Sequence, residues 1–204
     1  MRLTHRIANL LFIAAAVLLT TIASLSDRGF AQEERAPVEQ PPAVEEIAPA
    51  EPITVAMSLT DTEGVGEAVG TVALQDTPYG LLLTPNLTGI APGIHGFHAH
   101  LNAACGPGEL EGETVPGLAA GGHFDPEETE SHEGPYVATG HLGDLPPLYA
   151  DATGNVVIPV LAPRLSAEDV NGRSLVVHAE GDNFADTPAA LGGGGARLAC
   201  GTLL

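Results

Sequence analysis

The chain has 204 residues, with 26 Asp and Glu against seven Arg and no Lys, and a formal net charge of −19 at neutral pH. Such an acidic load makes nucleic acid and anionic membrane surfaces poor partners. The length leaves room for one ordinary domain plus extra segments.

The extra segments are at the front. Arg2 and Arg6 precede an apolar run from Leu10 to Ala23, and small residues at Ala23, Gly29 and Ala31 suit a small-x-small cleavage site. This is the pattern of a secretory signal peptide over residues 1–31 and implies a periplasmic or secreted protein. The run is short for a bilayer, which argues against the alternative of an uncleaved anchor, so no stable membrane insertion is expected after cleavage. Residues 32–52, "QEERAPVEQPPAVEEIAPAEP", are rich in Pro, Glu and Ala, with no aromatic residue and no hydrophobic period. They read as an acidic, Pro-rich, disordered linker. The folded part is then 53–204, long enough for a sizeable core. It holds Arg164, Arg173 and Arg197 against 19 acidic residues, a net charge of −16.

From residue 53 the hydrophobic pattern has period two. In "ITVAMSL" the residues Ile53, Val55, Met57 and Leu59 share one face, as a half-buried strand requires. "GTVAL", "YGLLLT", "GNVVIPVL", "RSLVVHAE" and "ARLACGTLL" predict further short strands, separated by turn signals such as "TPNLTGIAPG", "DATGN" and "EDVNG". No stretch carries a long helical pattern. The expected fold is all-β, an antiparallel Greek-key sandwich or barrel. Two stretches lack periodicity, residues 101–149 and 181–195, and loops of that length inside a domain are usually functional or disordered. The histidines and aspartates they carry favour function. Within the first, "GPGELEGETVPGLA" after Cys105 reads as a solvated loop, with a partner contact as the alternative.

Cys105 and Cys200 are an isolated pair behind a signal peptide, which most simply means one disulfide; two free thiols are the alternative. A bridge across 95 residues stabilises by roughly 4–5 kcal/mol in the chain-entropy account.

Apart from His5, every histidine lies in one set of motifs. In "HGFHAH" the alternation of a strand turns His98 and His100 to one face and His95 with Phe97 to the other, so the first two are candidate ligands and His95 a buried, hydrogen-bonded residue. His123, His132 and His141 follow at intervals of nine, Asp144 three residues later, and His178 ends the apolar run "SLVVH". Imidazole suits copper and zinc, and a carboxylate completing a three-histidine set suits tetrahedral zinc.

"GIHGFHAH", "AGGHFDP", "SHEGPYVATGHLGDLPPLYADATG", "SLVVHAEGDNFADTP" and "LGGGGARLACG" together resemble the successive motifs of the Cu/Zn superoxide dismutase family in its bacterial periplasmic form, a standing example of the sandwich fold. The resemblance covers 53–204 in order. It implies a copper held by His98, His100, His123 and His178, and a zinc held by His123, His132, His141 and Asp144, one of each per subunit, with His123 bridging them. It implies that Asp182 links a copper ligand to a zinc ligand, that His95 stands behind the copper strand, that Arg197 receives superoxide, and that Cys105 pairs with Cys200. The family includes monomers and homodimers. The implied activity is dismutation of superoxide to oxygen and hydrogen peroxide, with Arg197 and His123 as the reacting-site residues. A protein that stores or buffers copper and zinc without turnover is the rival, and Arg197, which no store requires, weighs against it. One departure stands out: family members often carry lysines near the channel mouth, and this chain has none.

Overall fold

The computed structural model describes residues 51–204. The expected signal peptide, and the expected linker up to residue 50, lie outside the described residues.

The described residues form eleven strands, all paired antiparallel, and no α-helix. They are β1 (Ile53–Asp61), β2 (Gly64–Thr77), β3 (Gly80–Leu87), β4 (Gly93–His95), β5 (Phe97–His100), β6 (Gly108–Leu110), β7 (Glu113–Val115), β8 (Leu148–Ala150), β9 (Val160–Ala162), β10 (Ser174–His178) and β11 (Arg197–Thr202). Seven make one sheet in the order β5-β10-β11-β1-β2-β3-β9, and β4 pairs with β8 separately. The neighbours β5 and β10, β11 and β1, and β3 and β9 are far apart in sequence, which gives the returning connections of a Greek key. This is the expected fold class.

Alternation along the strands builds the core. Val55 and Met57 of β1, Val72 and Leu74 of β2, and Leu81, Leu83 and Leu87 of β3 are buried together. Ile53, expected on the same face, is left 46% exposed at the start of β1. The run "GNVVIPVL" forms less strand than its pattern predicts: Val160–Ala162 pairs with β3, Val156 meets it again only in a single bridge to Leu87, and between them Val157 and Ile158 face outward. Pro159 cannot donate to a ladder, which fits that short pairing.

The strands that matter for function present both faces. In β5, Phe97 and Ala99 enter the core, so His98 and His100 point the other way. In β10, Leu175 and Val177 enter the core, while Val176 joins Cys105, Ala120 and Cys200 in a second small cluster on the outer face. The expected disulfide is present, with the Cα atoms of Cys105 and Cys200 5.6 Å apart, within ordinary disulfide geometry. It ties the segment after β5 to β11.

The stretch after Cys105, expected to be a solvated loop, contains the β6-β7 hairpin. Leu110 pairs with Glu113 across Glu111 and Gly112, whose φ angles are +54° and +86°. Two positive φ values make the two-residue turn whose twist matches that of paired strands.

Candidate metal centre

The site is assembled on the free edge of β5. That edge takes up loop backbone: Ala99 N–H donates to Gly143 O at 2.9 Å, Phe124 N–H to Ala99 O at 2.8 Å, and Leu101 N–H to Gly122 O at 3.0 Å. His100 thereby stands opposite His123, and His98 opposite Asp144. The approach requires a glycine at 143, because a Cβ there would overlap Ala99 O and stand 2.7 Å from Phe124 N. His178 arrives at the end of β10, next to β5.

Two groups of ligand atoms result, each within 4.8 Å of one another: His98, His100, His123 and His178, and His98, His123, His132 and Asp144. His98 and His123 belong to both. Asp144 Oδ1 lies 3.0 Å from Nδ1 of His123, 3.0 Å from Nδ1 of His132 and 3.3 Å from Nδ1 of His141. Three imidazoles therefore aim one nitrogen each at a single carboxylate oxygen. Asp182 spans the two groups, its Oδ2 2.7 Å from His98 Nε2 and its Oδ1 2.8 Å from His132 Nε2.

Burial is close to complete. Apart from Ser174 and His95, every buried polar or charged residue among the described residues belongs to this constellation, including His98, His132 and Asp144 at 0 to 1% exposure. His98 Nδ1 has no hydrogen-bond partner, and His132 Nδ1 is near Asp144 without the alignment of a hydrogen bond. An unpartnered buried nitrogen costs about 1–3 kcal/mol. Lone pairs gathered in this way fit cations, and the all-nitrogen group suits copper while the nitrogen and carboxylate group suits zinc.

Electrostatics keeps the first group ready to bind. Burial, and then the charge of His123, lowers His98 to about 3, and burial lowers His178 to about 4. Burial also holds His100 and His123 below their ordinary value. Their imidazoles are neutral at neutral pH and keep their lone pairs. His132 differs: burial opposes its charge, but the carboxylates of Asp144 and Asp182, one beside each ring nitrogen, overcome that and raise it to about 9. Burial pushes Asp144 and Asp182 upward too, yet the surrounding imidazoles hold both carboxyls well below the usual range.

His95 lies apart from both groups. Gly96 separates β4 from β5, so His95 and Phe97 sit in different sheets rather than on one strand face. The His95 ring nitrogens lie 2.8 Å from His178 O and 2.7 Å from Ala91 O.

A channel of about 480 Å³ leads to the site, lined by His100, His123, His178 and Arg197. Arg197 Nη2 donates to Gly121 O at 2.6 Å, and His100 Nδ1 lies 2.9 Å from that same carbonyl. Burial lowers the Arg197 pKa, but arginine stays charged throughout the physiological range. The outer walls come from Leu110, Val115 and Leu118 on one side and from Ala189 to Leu191 on the other. Sequence reasoning missed the hairpin wall. Its signal was the short alternation on either side of Glu111 and Gly112.

Comparison with known proteins agrees with this geometry. The copper/zinc superoxide dismutase (SODC) family model matches residues 68–203. The chain is 54% identical over 152 residues to superoxide dismutase [Cu-Zn] 1 of Salmonella typhimurium, covering 74% of this chain and 86% of the relative. It is 50% identical over 155 residues to superoxide dismutase [Cu-Zn] of Brucella abortus, covering 76% and 89%. The solved Cu/Zn superoxide dismutase of Brucella abortus superposes with a TM-score of 0.74 at 49% identity, over 76% of this chain and all of that one. The monomeric copper, zinc superoxide dismutase of Salmonella enterica superposes with a TM-score of 0.68 at 47% identity, over 75% and 99%. With matching motifs, fold and buried ligand groups, the chain belongs to the copper/zinc superoxide dismutase family.

Proposed function

We propose that the chain dismutates superoxide with copper held by His98, His100, His123 and His178, and zinc held by His123, His132, His141 and Asp144. The observation that carries this reading is the overlap of two buried ligand groups at His98 and His123, at the inner end of a channel that Arg197 lines. His98 is within reach of both groups, but Asp182 holds its Nε2. It has one nitrogen to give, and we assign it to copper with its strand neighbour His100. His141 completes the zinc set through the Nδ1 that faces Asp144.

Bound copper would supply one-electron oxidation and reduction, so that two superoxide anions and two protons become one dioxygen and one hydrogen peroxide. Zinc, which has no redox chemistry, would find a closed four-ligand site. The chain's own residues do the rest. Arg197 docks the anion with the donors that Gly121 O leaves free. Asp182 fixes the ring orientation of His98 and His132 together. His123, whose Nδ1 is turned to Asp144, can hold a proton at Nε2 when that nitrogen is not ligating and pass it to the anion as it is reduced.

The organisation proposed with this function is a signal peptide at 1–31, an acidic linker at 32–52 and the dismutase domain at 53–204, delivered to the periplasm or beyond the cell. The apolar run behind two arginines and the Cys105–Cys200 bridge, which an oxidising compartment preserves, support it. No described helix is long and apolar enough to cross a membrane. Tyr136 and Leu161, both outward-facing, line a surface hollow with Pro146, Pro159 and Pro163. That face suits a homodimer, which sedimentation of the purified chain tests.

The deciding experiment is the decay of a superoxide pulse with the copper- and zinc-loaded chain, a chelator silencing free copper. A rate constant near the diffusional ceiling of about 10⁸–10⁹ M⁻¹s⁻¹, for which superoxide dismutases are a standing example, is expected. Decay no faster than the chelated control with both metals bound would mean a store instead.

A further inference from the structure

Arg164 lies outside both ligand groups and touches no metal-ligating side chain, yet it grips the loop that carries them. It stands two residues beyond β9, partly buried. Its Nε donates to Pro135 O at 3.2 Å, its Nη1 to Gly140 O at 3.0 Å and its Nη2 to His141 O. Among the described residues it makes no ion pair, so the fork is given over to main-chain carbonyls. These carbonyls fall between His132 and Asp144, in a stretch with no strand or helix of its own. The other holds lie mostly toward the ends of that stretch: His132 N–H donates to Asp186 Oδ2 at 2.9 Å, His141 N–H to Ser131 O at 2.9 Å, Gly143 N–H to Phe124 O at 2.7 Å, and the Glu133 and Gly134 N–H groups to Asp144 Oδ2 at 3.2 Å.

From this geometry we propose that Arg164 is a positioning residue for zinc: it fixes the backbone of 135–141 so that His132, His141 and Asp144 already face one point before the ion arrives. The inference rests on the assignment of zinc to those residues. A planar guanidinium carries five donors in a fixed fork and can hold several carbonyls in one arrangement. An ammonium is a single point that cannot reproduce that pattern. Without the fork, zinc binding itself must order the loop, and the entropy of ordering then weakens the affinity.

The test compares Arg164→Gln and Arg164→Lys with Val72→Ala, a core truncation on β2 that lowers stability without touching the loop. Zinc affinity of the full chain is measured by chelator competition, and cobalt placed in the zinc site reports ligand geometry through its visible absorption. Removing a residue that orients ligands weakens a metal by about 10- to 100-fold. A loss of that size is expected in Arg164→Gln, little recovered in Arg164→Lys, with an altered cobalt band in both and neither change in Val72→Ala. Zinc affinity shifted no more than in Val72→Ala, with the wild-type cobalt band, overturns the proposal. A wild-type chain that takes up no zinc overturns the ligand assignment and this inference with it.

Discussion

Gly192 leaves the space that the Asp182 carboxylate occupies: a Cβ at 192 would overlap Asp182 Oδ1 and stand 2.6 Å from Asp182 Cγ and 2.7 Å from His132 Nε2. The residue also has φ of +73°, where a side chain costs about 1–3 kcal/mol. Gly192→Ala should therefore push Asp182 off His132, weaken zinc by about 10-fold or more, and lower the melting temperature of the metal-free chain. Chelator competition and thermal unfolding check both. Unchanged zinc affinity would mean that the Asp182 bridge does not orient its imidazoles.

That relationship marks how much of the site was legible in the sequence. Period two in "FHAH" was enough to turn His98 and His100 away from Phe97, and the isolated cysteines were enough for their bridge. The expectation that His95 is a buried, hydrogen-bonded residue rested on a face argument, which the separation of β4 from β5 at Gly96 replaces with two carbonyl contacts. How His123 and Asp144 come to β5 could not be read by pattern. Backbone bonds place them across the strand edge, and main-chain groups leave no side-chain period. The hairpin wall was hidden for a related reason, since two three-residue strands are too short for alternation to stand out.

The second prediction concerns charge at the channel mouth. Glu109, Glu111 and Glu113 are exposed on the hairpin whose Leu110 and Val115 line the channel. In a domain of net charge −16 they oppose an incoming anion, and salt screens them over about 10 Å at 0.1 M. The rate constant for superoxide should stay flat or rise with ionic strength, and Glu113→Lys should raise it several-fold at low salt. A steep fall on adding salt would show that Arg197 outweighs the whole acidic surface.

Zinc uptake should release a proton. In the metal-free chain His132 is raised to about 9 from an ordinary 6.5, so it is charged at pH 7 and zinc must displace that proton. The raised value also means that this ring stabilises the metal-free fold fully below pH 6.5 and loses that contribution as pH climbs through 9. Zinc affinity should accordingly gain about tenfold per pH unit from 7 toward 9. Calorimetry in buffers of differing ionisation enthalpy should give about one proton released from this ring per zinc at pH 7. No dependence on buffer would place His132 neutral before binding.

Arg197 sets up the last prediction through its two roles. Its charge faces the channel beside His100, His123 and His178, and its Nη2 shares the Gly121 carbonyl with His100. At an effective dielectric near 20, a unit charge about 5 Å from a docked anion is worth about 3 kcal/mol, or roughly 100-fold in rate at most. Arg197→Ala should thus lower the superoxide rate constant by about 10- to 100-fold while copper and zinc contents stay the same. Arg197→Lys should keep more of the rate, because it restores the charge, but less than all of it, because an ammonium cannot dock an anion while also holding Gly121 in the same fork. If Lys were no better than Ala, the carbonyl contact and its hold on His100 would be the larger role; if Ala matched the parent, the anion would be docking elsewhere in the channel.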